Sequence, residues 1–262
     1  MEDIRQTKGW KKYLIAKGWK VESVGKFQAF IMPLGLWPFS ILKFQRMDGE
    51  IDFDELKRVK RRNRSVFSII EPQTDINVGN YHRDRFPYLP SKTVMIDLGN
   101  NEEILWKNLA ENARRLIRKN MDLTIEEVGP DEFCREWKKA AKIWILSQKE
   151  VEQMKMAFGD KMKLWISKID GVPQSGLMLV TSKDTANYYN TWTNDTGRKS
   201  GAHYKLVWES ILWAKKKRLR TYDFEGILDK RWPQKRWAGF SEFKKKFGGT
   251  EHEFPGCFSR WL

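Results

Sequence analysis

Residues 239–249 read Gly-Phe-Ser-Glu-Phe-Lys-Lys-Lys-Phe-Gly-Gly and gather residue types that group-transfer chemistry uses. Phe240, Phe243 and Phe247 recur at intervals of three and four, so on a helix they share one face. Lys244 and Lys246 leave that face in different directions, and Gly248-Gly249 stops the helix and lets the backbone pass close to a neighbour. A fixed lysine ammonium can stabilise negative charge that builds on an oxygen. An aromatic ring is a sequence-tolerant platform for a base, worth about 1–3 kcal/mol. The same spacing describes an amphipathic surface helix with a glycine cap, so the pattern alone leaves both readings open.

Other segments carry weaker signals. Tyr222-Asp223-Phe224-Glu225-Gly226-Ile227 puts two carboxylates at the end of a short run. One of them can receive the proton released by an attacking amine, or Asp223 can merely tie down the adjacent loop. Arg114, Arg115, Arg118 and Lys119 form a basic helix end, a placement that the helix macrodipole favours with or without a ligand. Basic clusters recur at 57–64, 215–220 and 230–236, any of which can lie along phosphates or face solvent.

Composition bounds the rest. The chain has 262 residues, 40% of them hydrophobic, enough for one large domain or two small ones with a real core. Its net charge of +15 fits a polyanion such as tRNA, a nucleotide diphosphate or the anionic face of a membrane, and equally describes a Lys-rich solvated surface. Two cysteines, Cys134 and Cys257, and three scattered histidines supply neither a disulfide framework nor a zinc site, so no metal is expected. The longest apolar stretch, Ala29 to Leu42, is broken by Pro33 and Pro38 and falls short of the ~20 residues of a spanning helix. The first ten residues lack the apolar core of a signal peptide, and a cytoplasmic location is expected.

The elements that must position these residues follow from periodicity. Helices are predicted over Gln6–Lys17, Asp52–Asn63, Asn101–Asn120, Asp131–Phe158 (with a break) and Gly201–Lys217. Strands are predicted at Trp19–Val24, Lys26–Met32, Ser40–Arg46, Ser65–Glu71, Thr93–Leu98, Met162–Ile169, Ser175–Thr181, Ala186–Thr193 and Leu219–Phe224. Asp170-Gly171 marks a hairpin turn. The residues from 92 onward thus run helix, helix, three-strand meander, helix, strand: an α+β arrangement.

The phrase Gly-Phe-x-x-Phe-Lys-x-x-Phe-Gly-Gly resembles the C-terminal signature of the Fem-type aminoacyltransferases. Tyr222-Asp223 with Gly226-Ile227 resembles that family's Tyr-Asp-x-x-Gly-Ile turn. The strand Thr93–Leu98 and the helix bearing Arg114, Ile117 and Arg118 are similar to a further pair of its segments. The resemblance is good over 92–262 and faint before. It implies a GNAT (N-acetyltransferase-like) fold with a mixed sheet and splayed central strands, in tandem subdomains, 1–90 shortened and 91–262 complete. It implies catalytic roles for Lys244 and Asp223, and tRNA contacts for Phe243, Lys246, Arg114 and Arg118. It further implies substrate contacts for Tyr222, Glu225 and Lys12, the last near a family lysine whose spacing is not matched.

The activity so implied moves an amino acid from aminoacyl-tRNA to an amine of a nucleotide- or lipid-linked peptidoglycan precursor, without metal or organic cofactor. Peripheral contact with an anionic membrane is compatible with the charge. One alternative is an acyl-CoA-dependent N-acyltransferase, since Gly197–Lys205 stands where GNAT enzymes hold the CoA pyrophosphate. There His203 replaces a small residue and crowds the amide cradle. The other alternative is a non-catalytic RNA-binding protein on the same scaffold.

Overall fold

In the computed structural model, which describes residues 2–35, 37–141 and 146–261, the alternating apolar residues build two mixed sheets. The first part of the chain comprises α1 (Lys8–Ala16), β1 (Lys20–Val24), β2 (Phe27–Pro33), β3 (Ser40–Gln45), α2 (Phe53–Arg62), β4 (Ser65–Glu71) and β5 (His82–Arg83). The second begins with β6 (Lys92–Asp97), α3 (Glu102–Asn108), α4 (Glu111–Lys119), β7 (Thr124–Glu127), α5 (Pro130–Ala140) and α6 (Gln148–Phe158). It continues with β8 (Met162–Ile169), β9 (Val172–Thr181), β10 (Thr185–Thr193), α7 (Asp195–Ser200), α8 (Ala202–Lys216) and β11 (Thr221–Asp223). It ends with α9 (Ala238–Lys245), β12 (Thr250–Glu253) and β13 (Phe258–Trp261).

The first sheet runs β1-β2-β3-β4-β13-β5, and its β3–β4 pair is parallel because α2 carries the chain across. The second runs β12-β6-β11-β10-β9-β8-β7, with β10 and β11 its parallel pair. The last strand therefore returns to the first sheet, where Phe258 and Trp261 pair with Ile70 and Phe67 of β4.

Three apolar clusters hold these layers. One face of the second sheet packs on α4 and α8 through Ile117, Leu206, Val207, Ile211 and Tyr222. Its other face packs on α5, α6 and α1, through Phe133, Val151, Met154, Tyr13 and Leu14. Phe30 of β2 enters that same cluster, so α1 joins the two halves. The third cluster seats α2 on the first sheet through Leu56 and Val59 against Leu42, Phe44 and Ile70.

The single helix expected over 101–120 is two helices. The Ala110 N–H donates to the Lys246 carbonyl, 2.9 Å away, rather than to its own helix, and the Arg114 guanidinium caps the freed carbonyls of Lys107 and Leu109 at 2.8 and 2.9 Å. The helix expected over 131–158 is likewise divided into α5 and α6, and residues 142–145 of that expectation lie outside the described residues.

The geometry that matters for function lies at the parallel pair. β10 and β11 are in register only over Thr185–Asn187 and Thr221–Asp223. Beyond this, a bulge between Tyr188 and Asn190 keeps β10 on β9, while the chain after β11 stays with β6 through Phe224 N–H to Val94 O and Ile227 N–H to Lys92 O. The two central strands splay, and a cleft opens between them.

Candidate active site

The cleft has a volume of about 560 Å3. Tyr188, Tyr189, Asn190 and Thr191 of β10 form one wall, and Glu225 and Gly226 after β11 form the other. Arg5, Pro90, Trp137, Leu146, Trp237, Phe240, Phe243 and Lys244 complete it.

Lys244 projects from α9 into this cleft and is buried, 8% exposed. Its ammonium donates to the carbonyls of Phe224 (2.7 Å) and Gly226 (2.6 Å), which flank Glu225. Glu225 has φ +64°, the left-handed region that a residue with a Cβ enters at a cost of about 1–2 kcal/mol. That backbone reversal is what lets two carbonyls two residues apart converge on one ammonium. An ammonium has three N–H donors, so among the described residues one is left for a ligand in the cleft. The rings of Tyr188 and Phe240 lie 5.4 and 5.1 Å from the ammonium nitrogen and favour its cationic form. Burial nevertheless pushes Lys244 down to about 8, with Glu225 and Asp223 opposing the shift.

The loop from 226 to 237 is fastened to α9 by Ser241, whose hydroxyl donates to Trp237 O at 2.6 Å and accepts from Leu228 N–H at 2.7 Å. Phe243 packs against Tyr204, His203 and Phe247 at centroid distances of 4.8, 5.3 and 5.3 Å while lining the cleft. His203 bonds the Tyr188 hydroxyl at 2.7 Å, and burial pushes its pKa down to about 3, which keeps it neutral. Gly201 begins α8 with φ +75°, and a Cβ there would meet the Leu116 side chain at 2.8 Å. The Leu116 side chain therefore packs against the backbone at the start of α8.

Glu225 is held from the opposite end of the sequence. Arg5, in a 3-10 turn ahead of α1, donates to its carboxylate at 2.9 Å and to Asp3 at 3.1 and 3.2 Å. Burial alone would lower the Arg5 pKa, but the charges of Glu225 and Asp3 reverse that and raise it. Arg46, stacked 3.6 Å over the Phe254 ring, adds a second buried cation beside Asp3.

The structure brings Lys244, Phe243 and Glu225 together and separates the other expected residues from them. Asp223 is buried behind the wall and accepts from Thr93 Oγ1 at 2.5 Å and from Glu225 N–H at 2.7 Å. Burial first, then the Glu225 charge, pushes its pKa up to about 7. Tyr222 was expected to touch substrate. Alternation on β11 instead turns it fully into the core, where its hydroxyl bonds Ser210 at 2.7 Å. Lys12 is exposed on α1 and is not part of the cleft lining; the N-terminal cation that reaches the cleft is Arg5. Arg114 caps α3, Arg118 lies 5.3 Å over the Trp106 ring, and Lys246 reaches the Tyr204 hydroxyl at 3.4 Å, none of them in the lining. Arg5 and the Tyr188-Tyr189 pair carry no sequence signal: the arginine meets its partner only through the tertiary fold, and the bulge lets two consecutive residues line one wall.

The FemAB family model matches residues 136–260, the part of the chain that carries the cleft wall and α9. Curated proteins gave no significant match. Among solved structures, the fold is similar to that of FemX, with TM-score 0.81 at 14% identity over 99% of this chain and 92% of that one. It is also similar to L-PGS from Bacillus licheniformis, with TM-score 0.58 at 8% identity over 95% of this chain and 86% of that one. A tandem GNAT protein from the clavulanic acid biosynthesis pathway gives TM-score 0.52 at 10% identity over 91% and 79%. These likenesses establish a tandem GNAT-like architecture.

Proposed function

From the match of residues 136–260 to the FemAB family and the GNAT-like fold, we propose that this chain transfers an amino acid from aminoacyl-tRNA to an amine of a peptidoglycan precursor. The family match supports a peptidoglycan-related aminoacyltransferase in general; the tRNA donor and the precursor amine are the finer part of the reading.

The observation that carries it is the Lys244 ammonium, fixed by two carbonyls at the cleft with one donor to spare. In the reaction, the acceptor nitrogen attacks the ester carbonyl carbon, the C–N bond forms and the C–O bond to the ribose breaks. The proton lost by the amine goes to the departing ribose oxygen. Negative charge accumulates on the carbonyl oxygen between these events, and the free N–H of Lys244 is placed to stabilise it. Lys244 needs no reorganisation to do so, because the carbonyls of Phe224 and Gly226 hold it before substrate arrives. Holding ester and amine together in one cleft supplies much of the remaining acceleration.

Phe243 and Phe240 would receive the terminal base of the tRNA. Arg118, Lys246 and the basic loop 230–236, which ends at the cleft-lining Trp237, would follow its phosphates. Asp223 is assigned the loop-holding role: its carboxylate fixes the Glu225 amide and does not line the cleft.

The test is incubation with total charged tRNA and candidate muropeptides, followed by mass spectrometry of the acceptor. A gain of one amino-acid residue that ribonuclease abolishes is the expected result. A gain that persists without tRNA but requires acyl-CoA would replace this reading with the acyl-CoA one.

A further inference from the structure

Both faces of the first sheet are apolar, but only one is fully covered. Ala29, Ile31, Leu42, Phe44 and Ile70 turn toward α2 and are buried. On the other face, α1 and the turn before it cover one end, where the Gln6 side chain donates to Gln28 O and Gln45 O and accepts from Gln28 N–H. At the far end the pairing aligns Met32 with Ile41, Ile41 with Phe67, and Phe67 with Trp261. This makes one apolar row four strands wide. It lines an open hollow of about 330 Å3 together with Leu34, Lys43 and Tyr88.

The rim of this row is where the exposed rings concentrate. Among the described residues six aromatic side chains are exposed; of these Tyr88 (58%) and Trp261 (69%) line the hollow, Trp37 (71%) and Phe39 lie in the turn that follows its Leu34, and Phe86 is two positions from Tyr88. Trp37 and Phe39 sit in the turn between β2 and β3, where their backbones bond to Leu34. Phe86 and Tyr88 share the loop after β5.

Cations lie beside these rings. Lys43 lines the hollow 5.8 Å from the Tyr88 ring, and Arg85 lies 5.5 Å over the Phe86 ring. The carboxylates on these same segments are turned inward. Glu71 is buried and accepts the amides of Tyr88 and Leu89, and Asp84 accepts from Ser259 and Cys257. Indole and phenol rings favour the headgroup level of a bilayer, and cations beside them favour anionic lipid.

We propose that this face docks on an anionic lipid bilayer, with Trp37, Tyr88 and Trp261 at the headgroups and Lys43 and Arg85 against lipid phosphates. The placement also suits the cleft. Tyr88 lines a neighbouring hollow formed by residues 87–91 and the 227–237 loop, and that hollow shares Pro90 and Trp237 with the cleft. The docked face is thereby continuous with the flank of the site. The proposal does not depend on the transfer reaction.

The test is flotation of the full chain with phosphatidylglycerol-containing vesicles and with phosphatidylcholine vesicles. The wild type should float with the anionic vesicles only, and Trp37→Ser/Trp261→Ser should weaken binding about tenfold or more. A thermal melt checks that the double variant folds, and Trp37→Ser alone, in an exposed turn, serves if it does not. The proposal is overturned if the wild type stays in solution with anionic vesicles, or if the variants bind as well as the wild type. It is equally overturned if sedimentation shows a wild-type dimer that the substitutions dissociate, which would give this face to a second copy of the chain.

Discussion

Arg5 and Glu225 stand 220 positions apart and meet at 2.9 Å at the edge of the cleft. Their side chains are 6% and 14% exposed, and Arg5 also holds Asp3, so removing the arginine takes a partner from both carboxylates. Arg5→Ala should destabilise the fold by about 3–5 kcal/mol, the usual cost of leaving a buried charge unpaired. Arg5→Met/Glu225→Gln should recover much of that loss, because neither charge then remains. Chemical denaturation of the two variants checks this, and equal stabilities would show that the pair is not coupled.

The left-handed backbone at Glu225 predicts a difference between two substitutions that both delete the carboxylate. Glu225→Gly should be more stable than Glu225→Ala by about 1 kcal/mol, since glycine adopts φ +64° without strain. It should also keep more transfer activity, because the carbonyls of Phe224 and Gly226 stay on Lys244. Melting temperatures and initial rates of the pair decide the matter.

Lys244→Ala should lower the transfer rate about 10²–10³-fold while tRNA binding is kept, the magnitude expected for one oxyanion donor. Loss of binding with no separate loss of rate would reduce the lysine to a platform.

The pH profile adds an independent check. With Lys244 pushed down to about 8 by burial, its ammonium form declines as pH rises past that value, and the saturated rate should decline with it. Lys244→Arg keeps its charge, so the falling limb should move out of the measured range even though the rate is lower. Persistence of the same limb in the arginine variant would assign it to another group.

Asp223 makes a prediction about stability rather than rate. Its pKa is raised from an ordinary 3.8 to about 7, so the native state binds this proton more tightly than the unfolded chain does. The resulting stabilisation is fully present below 3.8 and is lost as pH rises through about 7. Asp223→Asn keeps an oxygen for Thr93 and the Glu225 amide and removes the titration. Its stability should vary less between these pH values than that of the wild type, as read from denaturation midpoints across the range.

Much of the fold could be read from the sequence because local pattern and tertiary demand agree there. The expected strand Met162–Ile169 coincides with β8, and α2 and α8 end within a residue of their expected limits, since their buried faces recur at helical spacing. The reading failed where a distant group intervened. Ala110 breaks a well-patterned helix because a carbonyl 136 positions later takes its amide. Tyr188 and Tyr189 share a wall through a bulge that no alternation announces. At the site, Lys244 and Phe243 could be located because helix, lysine and paired glycines are contiguous. A Cβ on Gly249 would come within 2.4 Å of Met95 O, which accounts for glycine at that position. Arg5 was invisible for the opposite reason: its role exists only once both ends of the chain are in place.

The seat of β13 between β4 and β5 has a consequence for biosynthesis. During translation β4 emerges nearly two hundred residues before the strand that covers its edge, so the growing chain must carry that open edge until synthesis reaches residues 258–261. The first sheet to appear at the ribosome is thus among the last to close, and nascent chains are exposed to edge-to-edge aggregation throughout that delay.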